Sequence, residues 1–270
     1  MMLANKRTVK STSRGNKPIQ PSLITVPEGD YVIGISDDQM THLLRTELWA
    51  EEWVERDLFA IEQPQHTIHL AAFQIGRAPV TNAEYFAFIW ETGYRVPKEW
   101  IGFRYSEGTD AHPVVGISRQ DALAYCNWLN ESLGTEFRLL TEFEWEAAAR
   151  GGDDRIYPWG DEFDPWRCNT LESGKRGTTT VGEYSPGGDS PLGVVDMAGN
   201  VWEWTSSILQ PYPYSQQDNH NEKNANARYV IRGGSWYYSR KLARTTTREA
   251  AVSTFISSAL GFRIGCNYRG

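Results

Sequence analysis

The segment from Asp196 to Trp204 contains residue types that can hold a metal ion. Asp196 and Glu203 carry carboxylates, and the backbone carbonyls between them lie in the same short stretch. These oxygen atoms can converge on one hard cation, and calcium suits them because it takes about six to eight oxygen ligands in flexible geometry. In the alternative interpretation, both carboxylates cap turns while Trp202 and Trp204 pack. We favour the cation site.

Cysteine and histidine follow no metal-binding pattern. Cys126, Cys168 and Cys266 are odd in number and widely spaced, which is typical of neither a disulfide framework nor a zinc site. We therefore expect a reducing, cytoplasmic location. His66 and His69 lie in a stretch typical of a strand. At this spacing they face opposite sides of an extended chain, which predicts surface or packing roles.

The distribution of charge argues against several classes of partner. The chain of 270 residues has a formal net charge of −7, although residues 1–20 contain five basic residues and no acidic one. The remainder is therefore strongly acidic. An acidic body argues against nucleic acid as a partner, because phosphate contacts need a dense basic patch. The sequence contains no apolar stretch of about 18 residues, so we expect no membrane span.

Composition predicts the domain organisation. Residues 1–20 are rich in Ser, Thr, Lys and Gly, which predicts a solvated, disordered tail. An arm that binds nucleic acid or an acidic partner is the alternative. An apolar content of 40% suffices for one sizeable core, so residues 21–270 are expected to form one domain. Residues 210–227 are rich in Gln and Asn and predict an exposed insertion.

Regular elements are expected mainly in the first half of the chain. The patterns predict strand over residues 23–35 around a turn, a helix over 37–58 and a strand over 67–75. Three further helices begin at capping boxes, in which a hydroxyl residue is followed three positions later by an acid. These caps are Thr81, Ser118 and Thr141, and the helices end near Gly93, Gly134 and Gly151. Beyond residue 151 the pattern predicts loops and short strands.

Several segments in order resemble the sulfatase-modifying-factor, or formylglycine-generating-enzyme, family. They are PVTNAEY (79–85), HPVV (112–115), residues 122–128, RLLTEFEWE (138–146), YPWG (157–160), DMAGNVWEW (196–204), RGGSW (232–236) and GFR (261–263). Each match is weak alone, and the ordered set is specific. The resemblance implies an α+β, C-type-lectin-like fold with little regular secondary structure.

The resemblance also implies calcium ligands. One site would use the Asp196 side chain, the Gly199 and Val201 carbonyls and the Glu203 carboxylate. A second site would begin at Asn169 and Thr170, although the loop that follows is shorter than in the human-type enzyme and supplies no further matching ligands. Both ions would hold loops in place rather than act in catalysis.

The catalytic positions of the family are not kept. In the true enzymes two cysteines follow the Gly-Gly-Ser motif and bind copper as thiolates, the soft ligands that Cu(I) requires. Here the matching residues are Tyr238 and Ala243. We therefore expect no copper and no catalytic residue, although Ser235 and Arg240 match family active-site positions. The histidines also lack the arrangement of the iron-binding, ergothioneine-type sulfoxide synthases.

The segment after Gly-Gly-Ser predicts a recognition surface. In the family this region lines the pocket for the substrate peptide, and here it contains aromatic, hydroxyl and arginine residues. The predicted ligand-binding residues are Trp236, Tyr237, Tyr238, Ser239, Arg240, Arg248, Thr254, Phe255 and Ser257. The same region is diversified in the variable proteins of diversity-generating retroelements, and its composition is also compatible with an ordinary degenerate paralogue.

Three functional hypotheses follow. The first is a non-catalytic binding module for a peptide or protein ligand. The second is an oxygen-dependent oxidoreductase of the formylglycine-generating or sulfoxide-synthase type with an unidentified metal site. The third is a scaffold subunit of a larger bacterial assembly. We favour the first.

Overall fold

A computed structural model describes residues 18–215 and 227–268. Five helices occur in these ranges: α1 (Asp37–Thr46), α2 (Trp49–Glu55), α3 (Asn82–Thr92), α4 (Arg119–Leu133) and α5 (Glu142–Arg150). The strands are β1 (Leu23–Val26), β2 (Gly29–Ile33), β3 (His66–Leu70), β4 (Phe73–Gly76), β5 (Arg138–Leu139), β6 (Trp202–Ile208), β7 (Arg228–Arg232), β8 (Glu249–Val252), β9 (Leu260–Phe262) and β10 (Ile264–Asn267). No helix in the described ranges is both long and apolar enough to cross a bilayer.

Three sheets organise these strands. One has the order β1-β4-β10-β5, a second consists of β2 and β3, and a third has the order β8-β7-β6-β9. All pairs are antiparallel except β6 with β9, which is parallel. The late strand β10 lies between the early strands β4 and β5, so both halves of the chain share one sheet. Residues between α5 and β6 form loops, as the sequence predicts.

The three predicted capping boxes are confirmed. In each, the hydroxyl accepts the backbone N–H three residues on, while that residue's carboxylate accepts the cap N–H. The predicted glycines Gly93, Gly134 and Gly151 end these helices in the left-handed conformation. Ser36 forms a fourth capping box with Gln39, which the sequence analysis missed.

Two elements predicted as continuous are divided, and a third is divided at its predicted turn. The helix expected over residues 37–58 breaks at Glu47, where the backbone is extended. Trp49 and Trp53 then lie one turn apart on α2, with their ring centroids 5.3 Å apart. The predicted strand over 67–75 is β3 and β4, and the one over 23–35 is β1 and β2, each in two different sheets. Alternation of apolar and polar residues with a period of two residues cannot distinguish one strand from two consecutive strands that belong to different sheets.

Buried ion pairs tie the two halves of the chain together. Four arginines of the last third are fully buried, and each meets a glutamate that is equally buried. The pairs are Arg232–Glu146, Arg244–Glu62, Arg248–Glu142 and Arg263–Glu203. Because an unpaired buried charge is costly, the first three pairs fix the C-terminal segments against α5 and the loop of Glu62, and the fourth joins Arg263 to β6.

The ends of the predicted insertion are buried, not exposed. Most of residues 210–227 lies outside the described residues, as do residues 1–17 of the predicted tail. Tyr212 and Tyr214 are nonetheless buried, and both hydroxyls donate to Glu142, with Tyr212 at 3.0 Å. Ala227 is also buried. Composition alone could not reveal these anchors, because they depend on a glutamate far away in the sequence.

Candidate functional site

Two glycines turn the chain sharply after β7. Gly233 and Gly234 have φ angles of 99° and 72°, a region that other residues rarely adopt. A Cβ at Gly234 would also lie 2.7 Å from the carbonyl oxygen of Leu242. The turn therefore requires glycine. It buries Ser235, while Tyr237 and Tyr238, with their rings 5.3 Å apart, are exposed.

A cavity of about 490 Å³ lies against the sheet formed by β8, β7, β6 and β9. Most of its lining is apolar. The apolar side chains include Trp202, Ile231, Tyr238, Leu242, Phe255 and Leu260. The Trp202 and Tyr238 rings meet edge to face at 6.1 Å. The site thus offers a concave apolar surface with aromatic walls, which is typical of a pocket for a large side chain.

Three polar residues also line this cavity. Arg228 lines it and donates to the Ala250 carbonyl at 2.6 Å, which stabilises the edge strand β8. Glu249 also lines it, and desolvation raises the pKa of its carboxyl above the ordinary value. Ser257 supplies a hydroxyl. These groups can orient a ligand that the apolar walls hold.

The structure brings three predicted ligand-binding residues together in the cavity: Tyr238, Phe255 and Ser257. Trp236 and Tyr237 lie beside them, with ring centroids 5.5 Å apart. The remaining predicted residues are divided among other surroundings.

Thr254 faces a different concavity. Along residues 254–257, Phe255 and Ser257 line the main cavity, whereas Thr254 and Ile256 line a second cavity of about 450 Å³ beside Arg95 and Lys98. This alternation is that of an extended chain. A period of two residues, applied to the sequence of this segment, would have separated Thr254 from Phe255 and Ser257.

Two predicted arginines are engaged in ion pairs. Arg248, predicted to contact a ligand, is instead fully buried and binds Glu142 through two nitrogen atoms at 2.7 Å each. Arg240 is half-buried, and its guanidinium lies 2.7 Å from Glu47. Ser239 precedes a single 3-10 turn over Arg240–Leu242. The ligand-binding role predicted for Arg248 is therefore wrong. Its acidic partner lies 106 positions away, so no local sequence pattern could indicate the pair.

Several cavity residues were not predicted as binding residues, namely Trp202, Arg228, Ile231, Leu242, Glu249 and Leu260. All except Leu242 come from strands that precede and follow the Gly-Gly-Ser segment. Only the pairing of β6 with β7 and β9, and of β7 with β8, places these strands around one space.

The predicted calcium ligands lie close together, but Glu203 does not fit the role. One Glu203 oxygen accepts Arg263 Nη2 at 2.7 Å, and the other accepts Arg263 Nε and Trp145 Nε1, both at 2.8 Å. Both carboxylate oxygens therefore accept hydrogen bonds from Arg263, whose positive charge already compensates the negative charge of Glu203. Asp196 Oδ2 accepts the Gly182 N–H at 2.8 Å, and burial raises the pKa of Asp196 to about 6.

The second predicted calcium site adjoins the first, because Asn169 pairs with Gly199 in an isolated bridge. Thr170 is buried beside it. The Asn169 side-chain oxygen accepts the Ser173 hydroxyl at 2.9 Å, and its backbone carbonyl accepts the Asn200 N–H at 2.7 Å. Protein donors thus satisfy the two Asn169 oxygens, whereas the buried Thr170 hydroxyl has no hydrogen-bond partner among the described residues. No cluster of three or more His, Cys, Asp or Glu side chains in the described ranges is placed to hold a metal ion.

Comparison with known proteins decides the family. Residues 8–267 match the model of the sulfatase-modifying factor enzyme 1-like domain. The chain belongs to this family. The formylglycine-generating enzyme of Streptomyces coelicolor is 34% identical over 264 residues, which cover 75% of this chain and 80% of that protein. The inactive C-alpha-formylglycine-generating enzyme 2 of Bos taurus is 30% identical over 259 residues, which cover 75% of this chain and 79% of that protein.

The fold is that of the sulfatase-modifying factor family, α+β and C-type-lectin-like, as predicted. The Treponema denticola variable protein 1 superposes with a TM-score of 0.70 and 21% identity, over 91% of this chain and 95% of that one. Its likeness supports the fold alone.

Tyr238 and Ala243, the residues predicted to stand at the positions of the family's two cysteines, differ in their surroundings. Tyr238 lines the cavity, whereas Ala243 is fully buried beside Cys168 and Ala198. Burial raises the pKa of the Cys168 thiol to about 12, which keeps this cysteine protonated at neutral pH.

Proposed function

We propose that this chain is a non-catalytic recognition module whose main cavity binds a large apolar side chain of a peptide or protein ligand. The observation that carries the proposal is the cavity itself. Tyr238 lines an apolar space of about 490 Å³ at a position where the family's enzymes have a thiolate. An aromatic ring there removes a copper ligand and adds a surface for packing.

The surroundings support recognition. Tyr237, 61% exposed, extends the aromatic surface beyond the cavity. Buried ion pairs fix the segments that carry this surface, so the surface is largely formed before the ligand binds. Little binding free energy is then spent on ordering the protein. Similarity to a vertebrate protein called inactive also supports a member without catalysis. A cytoplasmic location remains part of the proposal, supported by three buried cysteines that form no disulfide.

The second candidate is an oxygen-dependent oxidoreductase. Similarity to the formylglycine-generating enzyme of Streptomyces coelicolor favours it. It requires a metal site made by residues other than Tyr238 and Ala243.

Selection and turnover experiments separate the two candidates. Random peptides displayed on phage are selected on the full chain, and the affinities of the selected peptides are measured by calorimetry. We expect Phe255→Ala to weaken binding at least about 30-fold, the loss typical of an aromatic anchor in a pocket. Tyr268→Ala is the matched control, because Tyr268 is 48% exposed, close to 46% for Phe255, but follows β10 in the other four-stranded sheet.

Equal affinity of the selected peptides for wild type and Phe255→Ala would contradict the proposal. For the second candidate, the chain is incubated with copper or iron, oxygen and a cysteine-containing peptide, whose mass is then measured. We expect no mass change. Turnover that Ser235→Ala abolishes would overturn the recognition module in favour of the enzyme.

A further inference from the structure

A smaller concavity of about 330 Å³ lies near the main cavity, within the loops between α5 and β6. Trp166 and Tyr184 line it together with Glu172, Lys175 and Glu183. Trp166 is 86% exposed, and its ring makes no aromatic or cation–π contact with any other residue in the described ranges. A large aromatic ring is thus left open to solvent beside two carboxylates.

The two carboxylates differ in how their charge is balanced. Glu183 pairs with Lys175 at 2.8 Å, so this pocket already holds one ammonium group. Glu172 accepts the backbone N–H of Arg240 at 3.0 and 3.1 Å, and this donor is neutral. The Arg240 guanidinium itself points to Glu47. In the part of the chain that the structure describes, no cationic side chain forms an ion pair with Glu172.

We infer that this pocket binds an arginine side chain. A guanidinium can stack on the Trp166 ring while it donates to the Glu172 carboxylate, and these two interactions reinforce each other. Arginine suits the pocket better than lysine because its planar group stacks and donates in a fixed fork. Burial raises the pKa of the Tyr184 hydroxyl, so this second ring stays neutral and adds no charge.

The pocket is continuous with the recognition surface. The backbone N–H of Leu171 donates to the Tyr238 carbonyl at 2.9 Å, and Glu172 binds the backbone of Arg240. Leu171 is 61% exposed, so the apolar surface extends from Tyr237 toward the pocket. An arginine in the ligand of the main cavity can therefore reach Glu172.

The chain's own N-terminal segment is a second source of arginine. The Ser22 carbonyl accepts the Arg77 N–H at 2.8 Å, and Arg77 Nη2 donates to Ser185 Oγ at 3.3 Å. Ser185 follows Tyr184 directly, so Arg77 links Ser22 to the loop that carries one wall of the pocket. Residues 1–17 contain Lys6, Arg7, Lys10, Arg14 and Lys17. Both sources present the same guanidinium chemistry.

The test uses the full chain and an acetylated, amidated Gly-Arg-Gly tripeptide. The indole N–H resonance of Trp166, assigned by its loss in Trp166→Phe, is followed by NMR during titration. We expect a saturable shift, at least fivefold weaker binding in Glu172→Gln, and no change in Glu91→Gln, an exposed control on α3. The same peptide with neutral citrulline should not shift the resonance. Absence of a shift, or equal binding of the citrulline peptide, overturns the inference.

A second arm identifies the source of the arginine. The second arm uses a full chain in which the five basic residues of the N-terminal segment are changed to Gln. If that segment supplies the arginine, the Trp166 resonance of this variant should differ from that of wild type before titration, and the variant should bind the tripeptide more tightly. A ligand of the main cavity as the source predicts neither change. Phe255→Ala should leave tripeptide binding intact, so this inference and the proposed main-cavity function fail separately.

Discussion

At the scale of single residues, the distinctive feature is charge buried in pairs. Glu203 illustrates it, because the acid expected to bind calcium binds Arg263 and Trp145 instead. Such a carboxylate stabilises the fold by compensating a buried guanidinium, and its removal leaves that cation without a partner.

Glu203→Gln should therefore lower the free energy of unfolding by about 3–5 kcal/mol, because it breaks a buried ion pair. The loss should be the same in calcium and in a chelator, as measured by urea unfolding in each buffer. Glu91→Gln, which changes an exposed acid, should leave the free energy of unfolding unaltered. If calcium stabilises wild type but not Glu203→Gln, then Glu203 is a calcium ligand after all.

At the scale of elements, the capping boxes fix where helices α3, α4 and α5 begin. Ser118 and Asp121 cap α4, and Asp121 also accepts Arg95 Nε at 2.6 Å. Burial opposes ionisation of Asp121, but the Arg95 guanidinium and the Ser118 N–H offset it and hold the pKa of the carboxyl below its ordinary value.

The lowered pKa gives α4 a defined pH dependence. Asp121 stabilises the fold above its unfolded-state pKa of about 3.9, and this contribution is lost as pH falls through the lower folded-state pKa. We expect Asp121→Asn to cost about 1 kcal/mol at pH 7, a typical value for a helix cap, and less as the pH approaches 3. Urea unfolding across this range measures the difference. Glu131→Gln, in the same helix, is the control; a pH-independent difference for Asp121→Asn would contradict the assignment.

At the scale of the whole molecule, the C-terminal third holds the early segments in place. Arg244 pairs with Glu62 at 2.7 Å across 182 positions of sequence, and its guanidinium lies 4.9 Å from the ring centre of Trp53 and 5.2 Å from that of Phe59. Helix α2 and the turn that follows it are therefore held by a guanidinium that lies among their aromatic rings.

Arg244→Met should lower the free energy of unfolding by about 3–5 kcal/mol, because Glu62 is left as an uncompensated buried charge. The double variant Glu62→Leu/Arg244→Met should recover part of this loss, since two apolar groups can pack against the same aromatic rings. Chemical unfolding of the two variants and wild type measures the recovery. A double variant less stable than Arg244→Met would show that the pair is not the source of the effect.

The sequence by itself determined the local structure and the family. The caps at Thr81, Ser118 and Thr141 could be predicted because a capping box depends on residues three positions apart. Ordered motifs such as DMAGNVWEW and RGGSW indicated the family and its fold, which the comparisons confirm.

Only the tertiary structure decided what the polar side chains do. Arg248 and Glu142 lie 106 positions apart, so no local pattern could indicate that they pair. The same holds for Glu203 with Arg263, and for the strands that bring Trp202 and Phe255 to one cavity. Caps and motifs follow from neighbours in sequence, whereas burial and charge compensation depend on which distant segments the sheets bring together.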